Sequence, residues 1–151
     1  MTMFDLDEKD WKILLKLRDN SRVNVSDLAS ELQIPRTTVQ ERINRLVRNG
    51  IIKKFTIQQD HSKLGKPVTA FIMVSFSPGT GLSQREAAES IAAMEDVHEV
   101  HLISGEWDII AKARGDSLES IGKLVIDRIR NVRGVGKTLT CASFLCVKEN
   151  I

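Results

Sequence analysis

Cysteine is scarce: two residues in 151 cannot build a disulfide framework or a cysteine-based zinc site. Cys141 and Cys146 lie in a run that reads as a strand. An odd separation there sets them on opposite faces, ~16 Å apart along the chain and beyond disulfide reach. Two reduced, structural thiols are expected. Long hydrophobic runs are missing too, none approaching the ~18 residues needed to span a bilayer. The opening Met1-Thr2-Met3-Phe4-Asp5-Leu6-Asp7 has neither the basic flank nor the apolar stretch of a secretory signal. A cytoplasmic protein with no membrane partner is therefore expected. Nor is there a large excess of one charge: the net value is +2, with 42% hydrophobic and 28% charged residues. That balance permits a packed core and argues against wholesale disorder. The length suits one medium domain or two small ones.

The charge that is present is unevenly spread. Arg36, Arg42, Arg45, Arg48, Lys53 and Lys54 stand against the single acid Glu41 between positions 36 and 54. A polyanion would complement that concentration. The surrounding pattern reads as three short helices. Asp7 can cap the first with Asp10 as box partner, Leu6 and Trp11 occupy staple positions, and Leu14 and Leu17 continue the apolar stripe. Asn24 or Ser26 can start the second, whose Val25, Leu28, Ala29 and Leu32 recur at helical spacing. Gln33-Ile34-Pro35 interrupts, because Pro35 disfavours helix at Ile34 yet suits a first turn. The third helix runs from about Pro35 to Asn49 and stops at Gly50. So short a break between the second and third helices is the pattern of a helix-turn-helix.

Val39, Ile43, Leu46 and Val47 would seat the third helix, leaving Thr37, Thr38, Glu41, Asn44, Arg45 and Arg48 on its other side. Short hydroxyls, an amide and arginines are the groups that read base edges and hold phosphates. The expected DNA contacts are Arg36, Thr37, Thr38, Gln40, Glu41, Asn44, Arg45 and Arg48, with Lys53 and Lys54 on neighbouring phosphates.

After position 67 the pattern changes. Val68–Ser77 reads as a strand apolar on both faces, and Ser83–Met94 as a helix boxed by Ser83 and Glu86. His98–Ser104 and Ile109–Arg114 read as strands. Asp116 and Glu119 box a long helix to Val132, with Leu118, Ile121, Val125, Ile129 and Val132 as its stripe, and Lys137–Lys148 is the last strand. The order βαββαβ is the ferredoxin-like, split βαβ arrangement. Its helices cover one sheet face, so the two-sided apolar first strand calls for a second copy of the chain on the other. The expected fold is α+β: a helix-turn-helix domain, winged-helix-like, over residues 1–55, a connector strand or linker over 56–66 and a ferredoxin-like domain over 67–151.

These stretches together resemble the Lrp/AsnC, or feast/famine, transcription regulators over essentially the whole chain. The matching pieces are Leu6–Leu14, Arg22–Ala29, Thr38–Leu46, Gly50–Phe55, Leu64-Gly65 and Gly105-Glu106-Trp107-Asp108. The resemblance implies sequence-specific binding of double-stranded DNA, a homodimer assembling into tetramers or octamers, and control by a small amino-acid effector. It places the effector beside Gly105, Glu106, Trp107 and Asp108, with Thr138 and Thr140 in the corresponding region. Two departures stand out. Gln33 occupies a position where the family usually has a turn glycine; a left-handed non-glycine there costs on the order of 1 kcal/mol. Trp107 is bulkier than many residues at its loop position.

The remaining signals are weak. Gly134-Val135-Gly136-Lys137-Thr138 imitates a phosphate loop, but Asn131 stands where the pattern needs glycine, and the segment leads from helix to strand instead of strand to helix. Asn24-Val25-Ser26 spells a glycosylation sequon but reads better as a helix start. His98 and His101, three apart in a strand, are expected on opposite faces and unable to share a metal, and His61 has no evident partner. Glu106 and Asp108 could be paired acids, but no nucleophile or oriented base accompanies them. No enzyme and no cofactor are expected. The alternative reading is a metabolite-binding regulatory module acting on a protein partner, its helix-turn-helix serving as a docking surface.

Overall fold

The computed structural model describes residues 5–79 and 81–149. The chain divides into two compact units, Met1–Gln58 and Gln59–Ile151.

In the first unit, α1 spans Glu8–Asp19, α2 Val25–Leu32 and α3 Arg36–Arg48. Asp7 and Asp10 form the capping box of α1, and Asn24 caps α2 by accepting from the Asp27 N–H. Both satisfy amides that a helix start leaves without partners. Gln33 takes φ 54, left-handed and without glycine's freedom. That turn lets the Ile34 N–H return to the Ala29 carbonyl at 3.0 Å, closing α2, and sends Ile34 into the core. Ile13, Leu17, Leu28, Ala29, Ile34, Val39, Ile43 and Leu46 form that core, with Ile51 and Ile52 packed against it.

Two expectations fail here. The buried side of α1 is Asp10, Ile13 and Leu17, while Trp11 is 55% exposed. The stripe is turned by one residue because a carboxylate occupies its first inward place. Val47 is also largely exposed. It lies ~100° round from Leu46, toward an open groove that Phe55 and Leu17 also line. After α3 the chain enters no strand before Val68.

In the second unit, β1 is Val68–Phe76, α4 Gln84–Ala92, β2 Val97–Leu102, β3 Ile109–Gly115, α5 Leu118–Lys123 and β4 Val135–Ala142. The antiparallel sheet has the order β2-β3-β1-β4. Ala70, Ile72 and Val74 of β1 and Ile109, Ala111 and Ala113 of β3 face the helices. They pack under Ala87, Ala88, Ile91, Ile121, Leu124, Val125 and Ile129. The opposite face carries Phe71, Met73, Ile110 and Leu139 without a covering layer, Leu139 being 47% exposed.

Several boundaries differ from expectation, each for a local reason. The last helix is boxed by Ser117 and Ser120 rather than Asp116 and Glu119; Asp116 instead accepts from the Ser117 hydroxyl. It is α-helical only to Lys123. A wider π turn over Leu124–Arg128, in which the Ile129 N–H reaches the Leu124 carbonyl, brings both residues to the core. Leu118 is left exposed. β4 ends at Ala142, not Lys148, because its partner β1 begins at Val68, just after Pro67. Cys146 thus lies beyond the strand, and both cysteines are free and exposed. β2 carries an extra residue between Val97 and Glu99, which breaks the alternation assumed for His98 and His101. The His98 ring instead meets His61 edge-to-face at 5.0 Å, so His61 does have a partner. Gly136 is explained by packing. A Cβ there would stand 2.8 Å from Ser75 Oγ and 2.7 Å from Ser77 Oγ.

Candidate DNA-contact helix and effector loop

At ~100° per residue, α3 sorts its polar residues into two groups. Thr37, Glu41, Asn44 and Arg48 form one outward stripe, all exposed. Gln40 flanks it, donating to Asn44 Oδ1 at 3.0 Å, and Arg36 is exposed at the helix start. Lys53 and Lys54 are exposed in the segment that follows. Thr38 and Arg45 are half-buried on the other flank.

That flank holds a charge cluster the sequence pattern did not disclose. Asp10 is wholly buried. Its Oδ1 accepts from Arg42 Nη1 at 2.9 Å and its Oδ2 from Arg45 Nη2 at 2.5 Å. Arg42 also donates to both oxygens of Asp7, at 2.8 and 2.7 Å. The Asp10 amide and the Arg42 guanidinium hold the Asp7 carboxyl below its ordinary range, and Asp7 and Asp10 in turn raise Arg42. Arg45, expected at DNA, is therefore tied to α1. Arg42 and Asp10 were missed as participants. The available signal was an acid at the i position of an i, i+3, i+7 series with Ile13 and Leu17.

In the second unit the Gly105–Asp108 turn braces three elements. Asp108 Oδ2 accepts from the Phe76 N–H at 2.7 Å at the end of β1, and Oδ1 from Gln84 Nε2 at 3.3 Å at the start of α4. Its backbone donates to the Val74 carbonyl and accepts from the Ile103 N–H. Gly105 has φ 131, a conformation that side chains rarely take. Glu106 is exposed and Trp107 half-buried. Thr138 and Thr140 sit opposite Val74 and Ile72, so both lie on the helix side of β4. Thr138 Oγ1 accepts from Arg130 Nε at 2.9 Å. The turn, the first residue of α4 and Thr138 thus converge on Val74–Phe76. Gln84 and Arg130 join the site without a sequence signal. The Asp108 carboxylate is tied to the fold by two bonds, which leaves about half of its acceptor capacity.

Among the described residues no group of three histidine, cysteine or acidic side chains could hold a metal ion. No helix among them is long and apolar enough to cross a membrane.

Residues 6–53 match the model of a winged helix-turn-helix DNA-binding domain, and residues 69–150 that of the Lrp/AsnC ligand-binding domain. An uncharacterized HTH-type transcriptional regulator of Pyrococcus horikoshii is 51% identical over 97% of each chain. The HTH-type transcriptional regulator LysM of Sulfurisphaera tokodaii is 37% identical over 90% of this chain and 93% of its own. A transcriptional regulator of Neisseria meningitidis, solved in complex with L-methionine, shares the fold with a TM-score of 0.90. It is 22% identical, with 97% of this chain and 94% of that one covered. Helix-turn-helix, ferredoxin-like sheet and turn occur here in one order and spacing, and both halves are matched separately: the chain belongs to the Lrp/AsnC family of DNA-binding transcription regulators.

Proposed function

We propose that the chain is a sequence-specific regulator that reads double-stranded DNA with α3 as a cytoplasmic homodimer, or a tetramer or octamer built from such dimers, without enzymatic activity or cofactor. The observation that carries this reading is the exposed stripe Thr37, Glu41, Asn44 and Arg48, with Lys53 and Lys54 beyond it. Thr37, Glu41, Asn44 and Arg48 address bases, with Arg36, Thr38 and Gln40 at the margins. Arg45 contributes positive potential from its place on Asp10, and Lys53 and Lys54 hold phosphates. Two copies reading adjacent half-sites give the affinity that one short helix lacks.

The effector in this reading is a small amino acid. Asp108 takes its ammonium with the lone pairs left by Phe76 and Gln84, and Gly105 lets it approach the backbone. Glu106 and Trp107 border the site, and the Thr138 and Thr140 hydroxyls complete it. The L-methionine held by the Neisseria meningitidis relative supports that ligand class.

Selection of bound fragments from random DNA, with and without each of the twenty amino acids, tests both halves. One motif should emerge, and its enrichment should change with at least one amino acid. Arg48→Ala should then cost ~1–3 kcal/mol on the selected site. No enriched motif, or an unchanged affinity in Arg48→Ala, would sink the assignment of the helix. Asp108→Asn keeps an acceptor for the Phe76 N–H and should lose ~1.5–3 kcal/mol of effector binding by calorimetry.

A further inference from the structure

Beyond β4 the chain does something its own fold does not explain. Ser143 donates its N–H to the Thr69 carbonyl at 2.9 Å, the last backbone bond to the sheet recorded among the described residues. Residues 144–148 then stand in solvent, with Phe144 104%, Leu145 77% and Val147 90% exposed. The segment is caught again at Glu149. Arg114 Nη2 donates to both Glu149 oxygens, at 2.7 and 2.9 Å, and Lys112 Nζ bonds the same carboxylate. Arg114 itself is buried and donates from Nη1 to Thr69 Oγ1 at 3.2 Å. Lys112 first, then Arg114, pull the Glu149 carboxyl below its usual range against the effect of burial. An arginine that grips both carboxylate oxygens, with a second cation beside it, is a carboxylate receptor.

The receptor lies on the open face. Lys112 and Arg114 alternate with the core residues of β3, beside Ile110, Phe71 and Met73. The arm is also too long for its span. Ala142 faces Ala70, and Arg114 faces Thr69, so roughly two strand spacings, ~10 Å, separate the arm's root from its receptor. Residues 143–149 can reach about 23 Å. That slack throws three apolar side chains outward, and it suffices to cross the ~10 Å between two sheets packed face to face.

We propose that residues 143–149 are an exchanged arm. In the dimer, Glu149 of each chain is received by Lys112 and Arg114 of a second copy, and Phe144, Leu145 and Val147 are buried between the open faces. Exchange repeats the same charge contacts between chains, so it sacrifices none of them and gains apolar burial. The inference rests on the homodimer reading above.

Charge reversal separates the two. Arg114→Glu and Glu149→Arg, each alone, set like charges together and should raise the dimer dissociation constant about tenfold or more in sedimentation velocity. Mixing the two variants in equal amounts should restore wild-type dimerisation, because only an arm from the other chain then meets an opposite charge. A mixture as weak as its components would overturn the exchange and leave the dimer reading standing; a monomeric wild type would overturn the dimer reading itself. Phe144→Ser touches nothing in its own chain and serves if a charge reversal misfolds. It should weaken the dimer about tenfold while the thermal midpoint of the dilute monomer stays put. An unchanged dissociation constant there would also overturn the exchange.

Discussion

The two units treat charge in opposite ways. The first buries a carboxylate at the centre of its packing, with Arg42 and Arg45 reaching in to meet Asp10. The second packs its main core from apolar side chains and keeps its most buried charge, Arg114, on the open side of the sheet with Glu149, beside the pair Lys112–Glu99. A buried ion pair is weak as a source of stability but strict about geometry, since a misplaced partner leaves an uncompensated charge. An apolar core tolerates small shifts. The strict arrangement is found under α3, whose outward stripe Thr37, Glu41, Asn44 and Arg48 it holds in place. In that light Asp10 fixes the angle of α3 through Arg42 and Arg45.

The largest expected effect tests that contrast. Asp10→Ala leaves Arg45 without its acid and Arg42 with Asp7 alone, and breaking a buried pair costs ~3–5 kcal/mol. Arg45 is 44% exposed at its side chain and can turn partly to water, so the lower end, about 3 kcal/mol, is expected. In urea the transition of residues 1–58 should move to lower denaturant while that of residues 59–151 stays in place. Coincident shifts of both transitions, or a loss under 1 kcal/mol, would contradict the view of Asp10 as the anchor of α3.

A smaller change sharpens the same contrast by relaxing the first unit. Gln33 holds a left-handed conformation at φ 54, which costs a side-chain-bearing residue ~1–2 kcal/mol. Gln33→Gly removes that strain but adds backbone freedom to the unfolded chain, so a net stabilisation of about 0.5–1 kcal/mol is expected. It should appear as a higher denaturation midpoint of the first unit only. A destabilised Gln33→Gly would mean that the glutamine side chain contributes more than its backbone strain costs.

What was legible in the sequence was local. Asn24, the Ser83–Glu86 box and the start of β1 at Val68 follow from residues within a few positions of one another. Composition and order gave the two kinds of unit, and the stripe Thr37, Glu41, Asn44 and Arg48 followed from helical period. The failures are long-range or cumulative. Asp10 looked like a cap partner because the arginines that bury it are over thirty residues away. The π turn at Leu124–Arg128 shifts phase by one residue, which an apolar stripe at Val125 and Ile129 absorbs without trace. The end of β4 is set by where β1 begins, not by the apolar run Phe144–Val147, which reads as strand on its own. Gln84 reaches Asp108 only because the sheet brings β3 beside the end of β1.

The smallest expected effect concerns pH, and it separates the units by composition. All three histidines, at positions 61, 98 and 101, lie in the second unit. Burial, then Arg114, lowers His61, with Lys112 adding to Arg114 and with Glu149 and Asp60 opposing. His98 is lowered by burial first, then by His61, Arg114, Lys66 and Lys112. Both therefore fall below the ordinary imidazole value of 6.5. Well above 6.5 folded and unfolded chains are equally deprotonated, and the pair contributes no slope. As pH falls through 6.5 the unfolded chain takes up protons that the folded unit refuses, so stability is lost. The thermal midpoint of the second unit should decline between pH 7 and 5.5, while that of the first, which has no histidine, should hold. His98→Gln should flatten the decline by removing one of the two groups. A second unit that grows more stable on acidification, or a His98→Gln variant with an undiminished slope, would show that the 5.0 Å ring pair takes up its protons as readily folded as unfolded.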